Sequence, residues 1–147
     1  MKWILFAALL CIPATAMAET SSKKCEGHLS PAFAQKFAID WIAAWNSHDL
    51  NRILEHYSDD FEMHSPSIVA VMGEPSGVLK GKANVAAYWG KALKAVPDLT
   101  FDLIDVFAGI QSVSVHYTRR GAREVIEVME FNAACKVVRG SANWKTA

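Results

Sequence analysis

The chain has 147 residues, of which 52% are hydrophobic and 20% are charged, and its formal net charge is zero. This length and composition fit one globular domain that can bury a sizeable core. A neutral chain lacks the positive charge expected of a protein that binds nucleic acid or an anionic membrane surface, so neither partner is expected.

The first 18 residues have the pattern of an export signal. Lys2 provides a positive charge, residues 3–12 form an apolar run, and Ala16-Met17-Ala18 matches a signal-peptidase site. The apolar run is shorter than the ~20 residues of a membrane-spanning helix. The sequence therefore predicts a signal peptide at 1–18, cleavage after Ala18, and a periplasmic or secreted protein without a membrane anchor.

The segment after the predicted cleavage site is small and polar. Residues 19–29 predict a disordered lead-in, and the domain is assigned to residues 30–147. Cys25 lies in the lead-in and Cys135 near the end of the chain. The two could form a disulfide in an oxidising compartment, but the sequence alone does not show that they approach each other.

Three helices are predicted before most of the strands. Ser30 and Pro31 supply an N-cap and a proline at the first helical position. An aromatic residue then recurs at every fourth position, which indicates one apolar helix face. These residues are Phe33, Phe37, Trp41 and Trp45. A second, short helix begins at Asp49, and a third occupies residues 82–96 before Pro97.

The rest of the domain is predicted to be sheet. Apolar and polar residues alternate over 61–65, which indicates a half-buried strand, and residues 66–77 are punctuated by proline and glycine like a loop or irregular hairpin. Four runs rich in β-branched and aromatic residues follow, at 99–107, 111–119, 124–132 and 136–144. Their short connections predict an antiparallel meander, and the chain is therefore assigned to the α+β class.

Two segments, FAIDWIAAWNSHDLNRILEHYSDDFEMHSP at 37–66 and EFNAACKVV at 130–138, carry a resemblance to a known superfamily. The chain resembles the SnoaL-like members of the nuclear transport factor 2-like superfamily. The resemblance implies a cone-shaped, curved antiparallel sheet packed against three helices and enclosing one pocket. The family usually has glycine where Cys135 stands.

Ketosteroid isomerases belong to this superfamily, and their pattern can be laid on residues 37–66 without gaps. Their oxyanion-donating tyrosine falls on Trp41, and their general-base aspartate falls on Ser65. A serine hydroxyl cannot shuttle protons near neutral pH as a carboxylate can, and an indole N–H lacks acidity to match a forming enolate. The resemblance therefore does not imply steroid isomerisation by that mechanism.

The same resemblance implies which residues line the pocket. The expected ligand-binding residues are Trp41, Tyr57, Met63, Ser65, Trp89 and Phe101. Tryptophan and tyrosine offer N–H and O–H donors in an otherwise apolar wall. The expected ligand is therefore a small, apolar or aromatic molecule that carries an oxygen.

Glu127 is the leading candidate for a catalytic group. The two alternating residue sets of segment 124–132 are both largely apolar, which predicts a strand covered on both faces and makes a homodimer expected. Burial would raise the pKa of Glu127 and let it act as a general acid at neutral pH. A glutamate at a rim or interface, paired with arginine, is the alternative.

His116 is the second catalytic candidate, because imidazole titrates near neutral pH. Its strand position leaves open which face it occupies, and a surface or core histidine is the alternative. The histidines and cysteines lack zinc spacing, so no metal is expected, and no cofactor motif is present. Arg119, Arg120 and Arg123 flank Gly121 and are interpreted as a solvated hairpin tip.

Several functions are compatible with these features. The leading hypothesis is an exported domain that binds a small ligand. Any catalysis would be cofactor-free acid–base chemistry such as isomerisation, cyclisation or dehydration. The alternatives are a binding protein without chemistry and a dimeric assembly module.

Overall fold

A computed structural model describes residues 25–146, so the predicted signal peptide lies outside the described residues. The helices are α1 (Pro31–Asn46), α2 (Leu50–Leu54), α3 (Pro66–Met72) and α4 (Lys82–Ala95). The strands are β1 (Tyr57–His64), β2 (Val78–Lys80), β3 (Phe101–Ala108), β4 (Ser112–Arg119), β5 (Arg123–Phe131) and β6 (Val137–Trp144). None of these helices is long and apolar enough to span a membrane.

All six strands join one sheet in the order β2-β1-β6-β5-β4-β3. Register shifts interrupt the β1–β6, β3–β4 and β5–β6 pairs, and irregularities of this kind bend a sheet. The predicted α+β fold, a curved sheet packed against helices, is confirmed. One pair departs from the antiparallel pattern, because β1 and β6, which are far apart in sequence, run parallel.

The end of α1 fixes the start of β3. Asn46 donates from Nδ2 to the Phe101 carbonyl at 2.9 Å and accepts from the Phe101 amide through Oδ1 at 2.8 Å. His48 donates from Nε2 to the Leu99 carbonyl at 2.7 Å. These bonds hold Phe101 against Trp41, with ring centroids 5.7 Å apart, and so place one wall of the interior.

The predicted loop at 66–77 contains an unexpected helix, α3, so the loop prediction is wrong for its first half. Ser65 caps this helix by accepting from the Ser67 amide at 3.2 Å, and Pro66 occupies its first turn. Gly73 ends it in the left-handed conformation, at φ 68°. Proline and glycine punctuate loops, but here they mark the two ends of a helix.

The predicted disordered lead-in is also wrong for residues 25–29. Cys25 is fully buried and forms a disulfide with Cys135, whose Cα lies 5.2 Å away. Leu29 is buried as well, and its amide donates to the Gly109 carbonyl at 3.1 Å. The disulfide, which the sequence left open, therefore anchors the entry segment to the hairpin before β6.

Candidate functional site

A cavity of about 60 Å³ lies between α1, α4 and the inner face of the sheet. Six of the eight predicted site residues line it. They are Trp41, Met63, Ser65, Trp89, Phe101 and Glu127. The half-buried residues Arg119 and Trp144 also line it, so the cavity reaches the surface at their end of the sheet.

The cavity is small for a ligand site. A water molecule needs roughly 10–15 Å³ of such space, and a dry cavity of about 150 Å³ holds benzene. The present volume admits a few waters or the end of a ligand, but not a whole aromatic ring. A larger ligand would have to lie partly at the mouth or displace side chains.

Glu127 lies in the middle of the inner sheet face, opposite Val115 on β4 and Ala142 on β6. It is only 4% exposed. Burial raises the pKa of its carboxyl to about 7, against a weaker opposing effect of a hydrogen bond from Tyr117. That bond is long, with the Tyr117 hydroxyl 3.4 Å from Oε2. No basic side chain of residues 25–146 is paired with Glu127, so near neutral pH it can give or accept a proton.

Tyr57 does not line the cavity, in contrast to the prediction, but supports its wall from behind. Its hydroxyl accepts a hydrogen bond of 2.7 Å from Trp41 Nε1, and its ring packs 4.8 Å from that of Trp89. The Trp41 N–H is thereby occupied and does not face a ligand. Burial and the nearby charge of Glu127 raise the pKa values of Tyr57 and Tyr117, so both remain neutral phenols.

Trp45 also lines the cavity, and its Nε1 has no hydrogen-bond partner among the described residues although it is buried. The Trp45 N–H lies near Tyr57 and partly offsets the rise in the pKa of Tyr57. Its geometry does not meet the requirements of a hydrogen bond. A buried donor without an acceptor is unfavourable. Trp45 thus adds an unused N–H to the wall beside Tyr57.

Hydroxyl groups form a neutral polar wall at another part of the cavity. Ser65 and Ser67 line it together with Tyr88, and the two serine side chains partly offset the rise in the pKa of Tyr88 that burial causes. Ser65 is already engaged as the cap of α3. Nothing here can act as a base at neutral pH, and within residues 25–146 no three His, Cys, Asp or Glu side chains are grouped as metal ligands.

His116 is not brought to the cavity. It lies on the outer face of β4, where its Nε2 is 3.1 Å from a carboxylate oxygen of Glu124, while its neighbours Val115 and Tyr117 point inward and are buried. The geometry therefore separates His116 from Glu127 and removes it as a catalytic candidate. His64 likewise lies away from the cavity and contacts Glu62.

Several lining residues were missed by sequence reasoning. They are Trp45, Ser67, Tyr88, Ala92, Leu99, Tyr117, Arg119, Val125, Ala142 and Trp144. Tyr117 and Arg119 follow Val113 and Val115 at alternate positions of β4, so the strand pattern holds a signal for them. Ser67 had none, because it depends on the unexpected helix α3.

Comparison with known proteins identifies the family. The family model of the SnoaL-like domain matches residues 38–140. The chain is 49% identical to a SnoaL-like protein of unknown function from Burkholderia thailandensis, over 80% of this chain and 98% of that one, with a TM-score of 0.76. No curated protein is significantly similar to the chain.

More distant structures share the fold alone. AclR of Streptomyces galilaeus, a candidate hydroxylase, is 22% identical over 79% of this chain and 91% of its own, with a TM-score of 0.59. A candidate isomerase of the SnoaL-like family from Agrobacterium tumefaciens is 14% identical over 78% and 99%, with a TM-score of 0.64. Because the family match spans most of the described sheet and helices, the chain belongs to the SnoaL-like domain family of the nuclear transport factor 2-like fold.

Proposed function

We propose that the protein binds a small, oxygen-bearing molecule in this cavity and that Glu127 transfers a proton to or from it without a cofactor. One observation carries the proposal: Glu127 is buried in the cavity wall, no cation of residues 25–146 is paired with it, and burial raises the pKa of its carboxyl to about 7. A carboxyl that titrates at working pH serves equally well as acid and as base.

The mechanism follows from the position of this carboxyl. A ligand carbonyl that enters the cavity comes beside Glu127 and the Tyr117 hydroxyl. The ionised carboxyl can remove a proton from the carbon next to the carbonyl. The Tyr117 hydroxyl can donate to the carbonyl oxygen as negative charge develops there, and the apolar surroundings strengthen that interaction. The carboxyl, now protonated, returns the proton to another atom of the ligand and is ionised again. The supported reaction class is proton transfer next to a carbonyl, as in isomerisation, cyclisation or dehydration.

A binding protein without chemistry is the second candidate. The observation that favours it is the composition of the wall: among the described residues, Glu127 is its only carboxylate, and no imidazole accompanies it. Ser65, which stands where ketosteroid isomerases have their aspartate, is occupied in capping α3. Such a protein would hold its ligand through apolar contact and hydroxyl groups.

Deuterium exchange at the α-carbons of cyclopentanone tests the proposal, because it requires only proton transfer. We expect the wild-type protein to accelerate exchange in deuterium oxide, followed by proton NMR, and Glu127→Gln to reduce the rate to that of buffer. Glu130→Gln is the matched control, since Glu130 is exposed on the outer face of the same strand. A wild-type rate equal to that of buffer, with tryptophan fluorescence still quenched by the ketone, would support binding alone.

Export into an oxidising compartment is part of the proposal. Its support is the Cys25–Cys135 disulfide, since such bonds persist mainly outside the cytosol. Mass spectrometry of the exported protein tests it: Glu19 should be the first residue, and a retained Met1 would contradict it.

We also propose a homodimer formed through the outer face of the sheet. Phe107 and Ile126 lie on that face and are 52% and 41% exposed. A partner subunit that covers this face would remove both side chains from water.

A further inference from the structure

Arg119 is the one cation among the described residues that line the cavity, and it forms no ion pair with any of them. Its position in β4 continues the inward row of Val113, Val115 and Tyr117. Across the sheet it lies opposite Phe101, another residue of the cavity wall. A guanidinium therefore lies at the rim of a site whose other lining groups are apolar side chains, hydroxyls and the Glu127 carboxyl.

A second guanidinium lies beside it. Arg119 and Arg123 are directly paired between β4 and β5, and like charges in such positions repel. Arg123 lies over the Trp144 ring, with 4.1 Å from Cζ to the ring centroid, and Trp144 also lines the cavity. Within residues 25–146 Arg123 has no carboxylate partner either, so no carboxylate of the described residues offsets this pair of charges.

Arg120, the third arginine of this hairpin, behaves differently. Its Nη2 is 2.7 Å from an Asp98 carboxylate oxygen, and its side chain does not line the cavity. The interpretation of the three arginines as a solvated hairpin tip therefore fits Arg120 and is wrong for Arg119.

We propose that Arg119, assisted by Arg123, binds a carboxylate of the ligand at the cavity mouth, so that the ligand is a small organic acid. This rests on the proposed function, because the other end of the same molecule would enter the cavity toward Glu127. The planar guanidinium matches a carboxylate in a two-point hydrogen bond, and a bound anion relieves the repulsion between the two arginines.

Geometry sets the length of the acid. Val115 on β4 pairs with Glu127, and Arg119 lies four residues further along the same strand. The backbone positions of Arg119 and Glu127 are therefore about 13 Å apart along the strand direction. Both side chains line the same cavity, so one ligand can contact both of them. A short keto acid fits, with its carboxylate at the rim and its ketone end, a few non-hydrogen atoms, in the cavity of about 60 Å³.

Levulinate and methyl isoamyl ketone form a suitable pair of probes, because the ketone replaces the carboxylate by a neutral isopropyl group with the same number of non-hydrogen atoms. Binding is followed by quenching of the cavity tryptophans. We expect the wild-type protein to bind levulinate at least about tenfold more tightly than the ketone, and higher salt to weaken levulinate binding alone. Arg119→Gln should abolish the difference.

Arg120→Gln is the matched control, since it removes the same charge one residue away and should leave the preference intact. Equal binding of the two probes by the wild-type protein, or an equal loss in both variants, would overturn the inference. Failure of levulinate to bind would overturn it as well. If Arg119→Gln does not fold, two measurements on the wild-type protein still test the inference. They are the difference in affinity between the two probes and the effect of salt on that difference. Deuterium exchange of cyclopentanone involves no charged ligand. Its result therefore tests the proposed function independently of the proposed carboxylate site.

Discussion

The ionisation of Glu127 is set by the groups that surround it. Tyr57, Tyr88 and Tyr117 face it from β1, α4 and β4, and its charge contributes to the raised pKa of each. Because these phenols stay neutral, they cannot compensate a carboxylate as a cation would. Glu127 is thus the group of the cavity that titrates near neutral pH.

This environment predicts how stability depends on pH. Below about pH 4.5 Glu127 is protonated in both the folded and the unfolded chain. Between about 4.5 and 7 the unfolded chain releases the proton while the folded chain keeps it, so the free energy of unfolding falls as pH rises. The total loss is about 3 kcal/mol at most and levels off above the folded pKa.

Glu127→Gln removes this titration while keeping the shape of the side chain. Urea unfolding at about pH 5 and about pH 8 should therefore show a smaller decrease for Glu127→Gln than for the wild type. Glu130→Gln should follow the wild type. Parallel pH dependence in all three proteins would contradict a raised pKa at this position.

At the scale of elements, the turn between β5 and β6 shows how a cysteine can occupy a conformation that favours glycine. Cys135 has φ 60°, in the left-handed region that glycine adopts without strain. The Asn132 side chain accepts from the Ala134 and Lys136 amides, and its carbonyl accepts from the Cys135 amide. These bonds and the disulfide hold Cys135 in that conformation.

Removing the disulfide should therefore have an effect that depends on the residue left in the turn. The double variant Cys25→Ser with Cys135→Ser should lose about 2–5 kcal/mol of stability. Cys25→Ser with Cys135→Gly should regain about 1 kcal/mol of that loss, because glycine relieves the left-handed strain. Urea unfolding measures both, and equal stabilities would show that the turn is not strained.

The helices and strands also show which features of the site and the sheet can be predicted from sequence patterns. Trp41 is predicted at the cavity because the helical period of the aromatic residues agrees with the resemblance, whereas the prediction for Glu127 rests on the expected burial of its strand. His116 could have been assigned to the outer face, since Val113, Val115 and Tyr117 alternate with polar residues. The parallel pairing of β1 with β6 has no local signal, because it depends on contacts between distant segments.

At the scale of the molecule, the aromatic side chains of α1, α4 and the sheet nearly fill the cone. The rings of Trp41, Trp45 and Phe101 contact one another, with centroids 5.2 to 6.1 Å apart. The resemblance implied a pocket but not its volume, which depends on how closely these rings pack. The volume restricts the part of a ligand that can be enclosed, whatever its chemistry.

The proposed dimer makes a prediction at this scale. Light scattering after size-exclusion chromatography should give a dimeric mass for the wild type and a monomeric mass for Ile126→Lys, because a charge would be buried at the interface. Ile39→Lys is the control, as Ile39 is similarly exposed but lies on α1. A monomeric wild-type protein would contradict the proposal.

The position of β6 governs the order in which the domain can form. β6 is the last strand of the chain, yet it lies between β1 and β5 in the interior of the sheet. Until it is made, the β1–β2 ribbon and the β3–β5 meander have no strand to join them. A nascent chain therefore cannot complete its sheet until β6 has been synthesised.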